Sequence, residues 1–407
     1  MSEITIEAIE RAAERIDDSD IVRETPIDRS RSLSDRCGGH VLLKMEHLQR
    51  TGSFKPRGAY NTLCTLGDGI DHAVAASAGN HAQGVAIAAD SLGLDSTIVM
   101  PRTAPQMKAE ATRSYGAEVV LEGDTFRAAM DHAETLTDAP GSALIHAFDD
   151  PGIVAGQGTL GLEIYEQVPD LDTVVVPVGG GGLIAGVATA IKAIDPDVRV
   201  VGVQAEGAAT GPESLLQGTP VTVVDPRTIA DGIATGRLSE RTLDCIERSV
   251  DEFVVVDDDA IAAAILFLLE RAKQMVEGAG AVGVAALVSD ALDVEGETVV
   301  PVLSGGNIDI TSLQEVLTHA LADRRQLVEL TVRIDDRPGK MGEISTIIGD
   351  RDANIRTVRH ERGRPEISIG DADLVFEIET NGRAHSERVI DALRSHSFDV
   401  RWSEADR

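Results

Sequence analysis

Short apolar runs alternate with longer helical patterns through most of the chain. The runs are rich in β-branched residues, which is typical of strands buried on both faces of a parallel sheet. The predicted strands include His72–Ala76, Ser96–Met100, Thr173–Val178, Val198–Gln204 and Thr298–Leu303. The predicted helices include Gln83–Leu92, Pro105–Tyr115, Leu183–Ile194 and Ala260–Glu277. This order predicts an α/β fold, in which ligands bind where the strands end.

From residue 327 the pattern changes to shorter elements in the order βαββαβ. The predicted elements are Leu327–Ile334, Lys340–Asp350, Asn354–His360, Asp373–Glu379, Arg383–Ser395 and Phe398–Trp402. A polar loop, Glu361–Gly370, separates the two middle strands. Because this order is typical of ferredoxin-like α+β units, we expect the C-terminal part to fold as a self-contained second unit.

The charge balance excludes two classes of partner. The 407 residues carry 68 acidic and 37 basic side chains, which gives a net charge of −31. Such a field repels nucleic acid and anionic lipid, so we expect neither as a partner. The basic residues comprise only 6 Lys against 31 Arg. This composition indicates a halophilic protein, because concentrated salt screens crowded like charges; an ordinary acidic protein of the cytosol is the alternative.

The cysteines and the apolar segments do not indicate export. Cys37, Cys64 and Cys245 lie far apart and include no C-x-x-C pair, which argues against a disulfide framework or a zinc ribbon. The acidic, amphipathic N-terminal stretch does not resemble a signal peptide. The longest apolar run, Ala260–Leu269, is too short to cross a bilayer. We therefore expect a cytoplasmic protein without membrane association.

Lys55 is the first candidate for chemistry. It lies in Glu46–Ala59 (EHLQRTGSFKPRGA), between Phe54 and Pro56, and a proline at this point favours the start of a helix. A desolvated lysine has a lowered pKa and can form a Schiff base with a carbonyl compound. An ordinary surface lysine on a loop is the alternative.

Four consecutive glycines, Gly179, Gly180, Gly181 and Gly182, stand between a predicted strand and the helix that starts at Leu183. Glycines let the backbone wrap closely around an anion and direct N–H groups at it, and the helix N-terminus adds a favourable dipole. The segment is therefore predicted to bind a phosphate group. A tight turn is the alternative, but a turn requires only one or two glycines.

Two further strand ends carry polar groups. The segment Ser77–His81 (SAGNH) offers a hydroxyl, an amide and backbone N–H groups, which suit a small carboxylate or a ring oxygen; Ser77 as a simple helix cap is the alternative. Ser304 is a candidate donor to a heteroaromatic nitrogen, or else a turn serine. Gly278–Gly283 matches G-x-G-x-x-G but follows a helix, which argues against a dinucleotide site and favours close backbone packing.

In order and approximate spacing, these segments resemble the threonine dehydratase (threonine ammonia-lyase) family of fold-type II pyridoxal-phosphate enzymes. The resemblance rests on Glu46–Ala59, Ser77–Gly84, Ala155–Glu163, Gly179–Leu183 and Ser304–Asn307. It implies two open parallel-sheet αβα lobes within residues 1–320, the smaller at about residues 50–150, and pyridoxal 5′-phosphate as the cofactor. Residues 327–407 resemble an ACT regulatory domain, in which Asp336–Ser345 matches the ligand loop.

The resemblance also implies how the cofactor is held. Lys55 forms the Schiff base and Phe54 packs beside the cofactor ring. Asn80 bonds the phenolic oxygen, Ser304 faces the pyridine nitrogen, and Gly179–Leu183 bind the phosphate. A hydroxyl partner need not keep the pyridine nitrogen protonated, which favours expulsion of a β-leaving group. Freed Lys55 would then remove the Cα proton.

For the substrate, the resemblance implies L-threonine converted into 2-oxobutanoate and ammonia, with L-serine as a secondary substrate. Ser77, Ala78, Gly79 and His81 would hold the carboxylate, with His81 in an orienting role. Serine racemases carry a second serine where Ala78 stands here, so elimination is expected; a serine racemase or a serine-preferring dehydratase is the alternative. Divalent-metal ligands are not evident around Gln204–Thr210, so no divalent metal is expected to be required.

The ACT resemblance implies regulation by an amino acid, expected to be branched-chain, near Asp336–Gly342. Allostery requires an effector that binds two states differently, and a domain used only for assembly is the alternative. A sensor protein without catalysis is disfavoured by the intact Lys55, Asn80, glycine and Ser304 positions. A homodimer or homotetramer is expected by resemblance.

Overall fold

Buried β-branched strands build two separate sheets in the first part of the chain. The computed structural model describes residues Ile4–Trp402, and the chain divides into two units between Asp309 and Ile310. The strands of the first unit are β1 (Ile27–Arg29), β2 (His40–Lys44), β3 (His72–Ala76), β4 (Asp95–Met100), β5 (Glu118–Leu121), β6 (Ser142–Leu144), β7 (Thr173–Pro177), β8 (Arg199–Ala205), β9 (Glu252–Val256) and β10 (Thr298–Pro301).

Helices cover these sheets. The α-helices of the first unit are α1 (Ile6–Asp17), α2 (Arg31–Cys37), α3 (Lys55–Cys64), α4 (Asn80–Leu92), α5 (Gln106–Ser114), α6 (Phe126–Leu136), α7 (Pro151–Gln167), α8 (Gly182–Ile194), α9 (Gly211–Gln217), α10 (Glu240–Ser249), α11 (Asp258–Phe267) and α12 (Gly278–Val288). Short 3₁₀ turns lie at Glu46–Leu48, Glu206–Ala208 and Asp231–Ile233. Among the described helices, none has the length and apolar composition that a bilayer crossing requires.

The two sheets define two lobes. The small-lobe sheet has the order β5-β4-β3-β6 and is wholly parallel. The large-lobe sheet has the order β1-β2-β10-β7-β8-β9 and is parallel except for β1, which pairs antiparallel with β2. The predicted fold of two parallel-sheet lobes is therefore confirmed, while the antiparallel edge strand β1 was not predicted. The loops after β3, β7 and β10 carry the candidate site residues, as expected for parallel sheets.

The glycines of Gly278–Gly283 serve close packing, as predicted. Helix α12 is buried along its whole length. A Cβ atom on Gly278 would lie 2.5 Å from the carbonyl oxygen of Ile229, and one on Gly280 would lie 2.4 Å from that of Gly305. Neither position has room for a side chain, so the backbone of α12 lies directly against its neighbours.

The predicted helix Ala260–Glu277 is wrong at its C-terminal end. Helix α11 ends at Phe267 and a π-helical turn continues it only to Ala272. Lys273 then adopts a φ of +60°, a left-handed conformation that terminates a right-handed helix. The periodic spacing of apolar residues does not show where this helix ends, because no glycine or proline marks the end. The five residues from Lys273 to Glu277 therefore form a linker that leads into α12.

Four charged side chains form a cluster inside the first unit. Arg57, two residues after Lys55, makes paired hydrogen bonds to Glu46 (2.7 and 2.9 Å) and to Glu163 (2.6 and 2.8 Å). Lys44 donates to Glu163 at 2.8 Å. The side chains of Arg57, Glu46 and Lys44 are 0% exposed, and that of Glu163 is 19% exposed. The charges balance, which is the condition for keeping ions in a protein interior.

The second unit confirms the predicted βαββαβ order. Its elements are α13 (Ile310–Asp323), β11 (Leu327–Asp335), α14 (Lys340–Gly349), β12 (Asn354–Glu361), β13 (Asp371–Glu379), α15 (Arg383–Ser395) and β14 (Asp399–Arg401). The sheet has the order β12-β13-β11-β14 with every pair antiparallel, which is the ferredoxin-like arrangement. Its own core includes Leu330, Phe376 and Leu393, each 0% exposed.

The buried cluster predicts the effect of removing its central cation. Arg57→Ala leaves the carboxylate of Glu46 buried without its partner, so we expect a loss of about 3–5 kcal/mol in the free energy of unfolding. Urea unfolding followed by circular dichroism measures this loss. Arg102→Ala is the control, because the Arg102–Glu122 pair is 56% and 41% exposed and is expected to contribute below about 1 kcal/mol. Equal losses in the two variants would contradict the role of the buried cluster.

Candidate active site

Lys55 is the first residue of α3, and its neighbours fix its position. The N–H group of Phe54 donates to the carbonyl oxygen of Ser304 at 3.1 Å, which holds this segment beside the end of β10. A Cβ atom on Gly84 would lie 3.0 Å from Cβ of Lys55, so glycine there lets α4 pack against the start of α3. Nζ of Lys55 donates to the carbonyl oxygen of Ala147 at 3.1 Å and lies 5.1 Å from the Phe54 ring centre.

The environment of Lys55 changes its acidity. Loss of hydration lowers the pKa of Lys55 from 10.5 to about 8, and the negative charge of Glu277 opposes this shift. An amine with this pKa is neutral in a large share of molecules near pH 8, and the neutral amine is the form that acts as nucleophile and base. This environment does not fit an ordinary surface lysine.

The four glycines form the turn between β7 and α8, and α8 starts at Gly182. Gly181 adopts a φ of +91°, a conformation that favours glycine. A Cβ atom on Gly180 would lie 2.3 Å from the ring of Phe148. Among the described residues, the N–H groups of Gly179, Gly180 and Gly181 have no hydrogen-bond partner. Unpaired N–H groups at the start of a helix form an anion-binding site.

The segment after β3 brings a hydroxyl and a histidine to the same region. Helix α4 starts at Asn80 and its N-cap is Gly79, so Ser77 is not the simple cap that was considered; its Oγ accepts from the N–H of Gly79 at 3.1 Å. His81 is buried, and its Nε2 donates to the carbonyl oxygen of Ile145 at 2.8 Å. Burial lowers the pKa of His81 to about 3, so its ring is neutral at physiological pH.

Asn80 connects the two lobes at the site. Its Nδ2 donates to Oε1 of Glu277 at 2.6 Å, and its Oδ1 accepts from Nδ2 of Asn307 at 2.8 Å. Asn307 also donates to the carbonyl oxygen of Thr51 at 2.6 Å. Asn80 belongs to the small lobe, whereas Glu277 precedes α12 and Asn307 follows β10 of the large lobe. Both ends of the Asn80 amide are therefore held by the opposite lobe.

Glu277 was missed by the sequence analysis. It was placed inside a helix, but the linker after Lys273 brings it to the site, where it is 5% exposed. Burial, together with the negative charge of Asp231, raises the pKa of Glu277 from 4.5 to about 7. A glutamate directly before the glycine-rich start of α12 was the only available signal. Asn307 lay within a recognised motif but had no assigned role.

Ser304 is 3% exposed and keeps hydrogen-bonding capacity. Its Oγ lies 3.5 Å from the carbonyl oxygen of Ala279, which is longer than an ordinary O–H···O bond. The site as a whole fits pyridoxal phosphate: Lys55 offers an amine to the aldehyde, the glycine turn offers N–H groups to the phosphate, and Asn80 and Ser304 offer donors to the ring. The described residues contain no group of three or more His, Cys, Asp or Glu placed to hold a metal ion; the expectation about divalent metals stays a prediction.

Comparison with known proteins supports this fit. Residues 19–305 match the family described as pyridoxal-phosphate dependent enzyme. The chain is 45% identical to L-threonine ammonia-lyase of Thermotoga maritima over 403 residues, which cover 98% of this chain and 99% of the relative. It resembles the structure of the processed form of threonine deaminase isoform 2 from Solanum lycopersicum (41% identity, TM-score 0.73, 77% of this chain and 88% of that chain). It also resembles maize serine racemase (35% identity, TM-score 0.73, 80% of this chain and 100% of that chain). The chain therefore belongs to the pyridoxal-phosphate-dependent enzyme family.

Proposed function

We propose that this protein deaminates L-threonine to 2-oxobutanoate and ammonia, and L-serine to pyruvate as a secondary reaction. The observation that carries the proposal is the desolvated amine of Lys55, at the start of a helix that packs against the small lobe and beside the end of β10. The relative from Thermotoga maritima, which aligns over nearly the whole chain, is an L-threonine ammonia-lyase and supports the choice of substrate.

In this proposal the cofactor is held by residues from both lobes. The N–H groups of Gly179–Leu183 bind the phosphate, Asn80 donates to the phenolic oxygen and Ser304 faces the pyridine nitrogen. Phe54 packs beside the ring, and Lys55 supplies the amine that joins the aldehyde. Bound pyridoxal phosphate supplies the electron sink that makes the Cα proton of the substrate acidic.

The chain itself supplies the base and the carboxylate site. Neutral Lys55 removes the Cα proton, and the β-hydroxyl gains a proton and leaves as water, so the proton lost from Cα is balanced by the one that the leaving group takes up. Hydrolysis of the resulting enamine replaces its nitrogen with oxygen and releases ammonia, so one water is lost and one is consumed. Ser77, Ala78 and Gly79 bind the carboxylate at the start of α4. The fixed neutral ring of His81 holds this loop against Ile145.

A serine racemase, or a serine-preferring dehydratase, is the second candidate. The likeness to maize serine racemase at 35% identity favours it. Racemisation requires acid–base groups on both faces of the substrate. Ala78 offers no such group after Ser77, so we favour elimination over racemisation.

We also propose that the C-terminal unit is an ACT domain that binds a branched-chain amino acid. Gly339 adopts a φ of +94° at the start of α14, and Asp336 pairs with Arg362 at 2.6 Å, so the loop between β11 and α14 has a defined shape with charged groups beside it. In such a domain, the effector changes turnover by binding two states differently. We expect the chain to assemble as a homodimer or homotetramer.

The first prediction of this proposal concerns the reaction products. With pyridoxal phosphate bound, the protein is expected to form 2-oxobutanoate from L-threonine and pyruvate from L-serine, measured by a keto-acid assay. Lys55→Ala is expected to reduce turnover by at least about 100-fold, because it lacks the base. Lys192→Ala, which changes a lysine near the end of α8, is the control. Chiral analysis that finds D-serine formed from L-serine would instead favour the racemase.

The second prediction concerns pH. Because the pKa of Lys55 is lowered to about 8, about half of the amine is neutral at that pH, and the neutral fraction becomes nearly constant only about one pH unit higher. The rate at which cofactor-free protein develops the absorbance of bound pyridoxal phosphate should therefore rise with pH, reach about half of its maximum near pH 8 and level off above about pH 9. An ordinary lysine would continue to gain reactivity towards about pH 10.4. A rate that still rises steeply between pH 9 and pH 10 would contradict the assigned environment.

The third prediction concerns the effector. Isothermal titration of the full-length protein with isoleucine and with valine is expected to detect binding of at least one, together with a change in the rate of 2-oxobutanoate formation. Asp336→Ala is expected to weaken this binding at least tenfold, a loss of about 1.4 kcal/mol. Asp391→Ala, which removes an exposed carboxylate from α15, is the control. If neither amino acid binds or changes the rate, the result would favour a domain used only for assembly.

A further inference from the structure

A buried carboxylate beside the site has no role in the scheme above. Glu277 stands at the N-cap of α12 but makes no side-chain capping hydrogen bond. Its carboxylate points instead to Asn80, whose Nδ2 lies 2.6 Å from Oε1. Burying a carboxylate is unfavourable unless hydrogen bonds or charges compensate it, and the raised pKa of Glu277 reflects this cost. Ionisable groups with strongly shifted pKa values are frequent at functional sites, so we expect Glu277 to have a role there.

The surrounding backbone holds this carboxylate in one place. The N–H group of Glu277 donates to the carbonyl oxygen of Gly305 at 3.1 Å. A Cβ atom on Gly305 would lie 2.2 Å from Oε1 of Glu277, so the carboxylate occupies the space that a side chain there would fill. Beyond it, Lys108 and Asp231 form an ion pair at 3.2 Å. The charge of Asp231 raises the pKa of Glu277, and the charge of Lys108 lowers it. The backbone that follows β10 therefore holds the carboxylate of Glu277 in contact with Asn80.

The amide of Asn80 has two N–H groups and one oxygen, and its neighbours allow only one orientation. Glu277 accepts from one N–H group, and Asn307 donates to the oxygen. Rotation of the amide by half a turn would set its oxygen against a carboxylate and its NH₂ group against the NH₂ group of Asn307. Among the described residues, the second N–H group of Asn80 has no partner.

We propose that Glu277 is a positioning residue, which fixes the amide of Asn80 so that its second N–H group is presented to the phenolic oxygen of pyridoxal phosphate. The inference rests on the proposed function, since it requires the cofactor to bind with that oxygen at Asn80. Glu277 touches neither cofactor nor substrate in this role. Without it, only the hydrogen bond from Asn307 orients the amide, and the flipped orientation, which presents an oxygen where a donor is required, becomes more populated.

The test measures the affinity of the cofactor-free, full-length protein for pyridoxal phosphate by its absorbance change. Glu277→Ala is expected to raise Kd about tenfold or more, the effect of one hydrogen bond to a charged group. Glu277→Gln is expected to recover most of the loss, because its Oε1 still accepts from Asn80. Glu277→Met fills the same space without an acceptor and should match the alanine variant, which also covers the case in which Glu277→Ala fails to fold. Glu166→Ala, an exposed carboxylate of α7, is the control.

A double-mutant comparison separates positioning from a general structural role. If Glu277 acts through Asn80, then Asn80→Ala and the double variant Asn80→Ala/Glu277→Met bind the cofactor with the same Kd. Additive losses, or a Glu277→Gln variant as weak as Glu277→Met, would overturn the inference. A wild-type protein that binds no pyridoxal phosphate would instead refute the proposed function.

Discussion

The buried ion cluster around Arg57 determines where the site lysine lies. Lys55 and Arg57 occupy the same turn of α3, and Arg57 is bound on one side by Glu46 and on the other by Glu163. Removing any one of these charges leaves the buried cluster with a net charge, which is far more costly than losing a surface pair. The start of α3 is therefore fixed between the segment after β2 and helix α7, with little tolerance for displacement.

The two parallel sheets then bring chemistry to this fixed point. Loops after β3, β7 and β10 all leave from carboxyl ends of strands, where parallel sheets place their ligand sites. Hydrogen bonds from Phe54 to Ser304 and from Asn80 to Glu277 connect the two lobes across this region. The same contacts that join the lobes thus fix the Asn80 amide and the backbone at Ser304, so the packing of the lobes determines the geometry of the candidate site.

The sequence reveals those parts of the molecule that depend on neighbours along the chain. Strands such as Thr173–Val178 and the glycine turn were predictable, because a short run of apolar residues indicates a buried strand and a run of glycines indicates a turn. The end of the helical segment that continues α11 was not, since Lys273 takes a left-handed conformation without glycine. Glu46 and Glu163 lay in recognised motifs, but their pairing with Arg57 joins residues 11 and 106 positions apart. Long-range pairing of this kind follows from the fold and not from local pattern.

In the proposed reaction, proton transfer is assigned to Lys55 because the other titratable groups near it are held by hydrogen bonds. His81 donates to a backbone carbonyl, and its pKa of about 3 keeps its ring neutral. His146 accepts through Nδ1 from the N–H group of Asp149 at 2.8 Å, and burial lowers its pKa as well. Glu277 is engaged by Asn80 at 2.6 Å. The amine of Lys55 makes only a 3.1 Å bond to the carbonyl oxygen of Ala147 and has a pKa of about 8, so it can both lose and accept a proton at physiological pH.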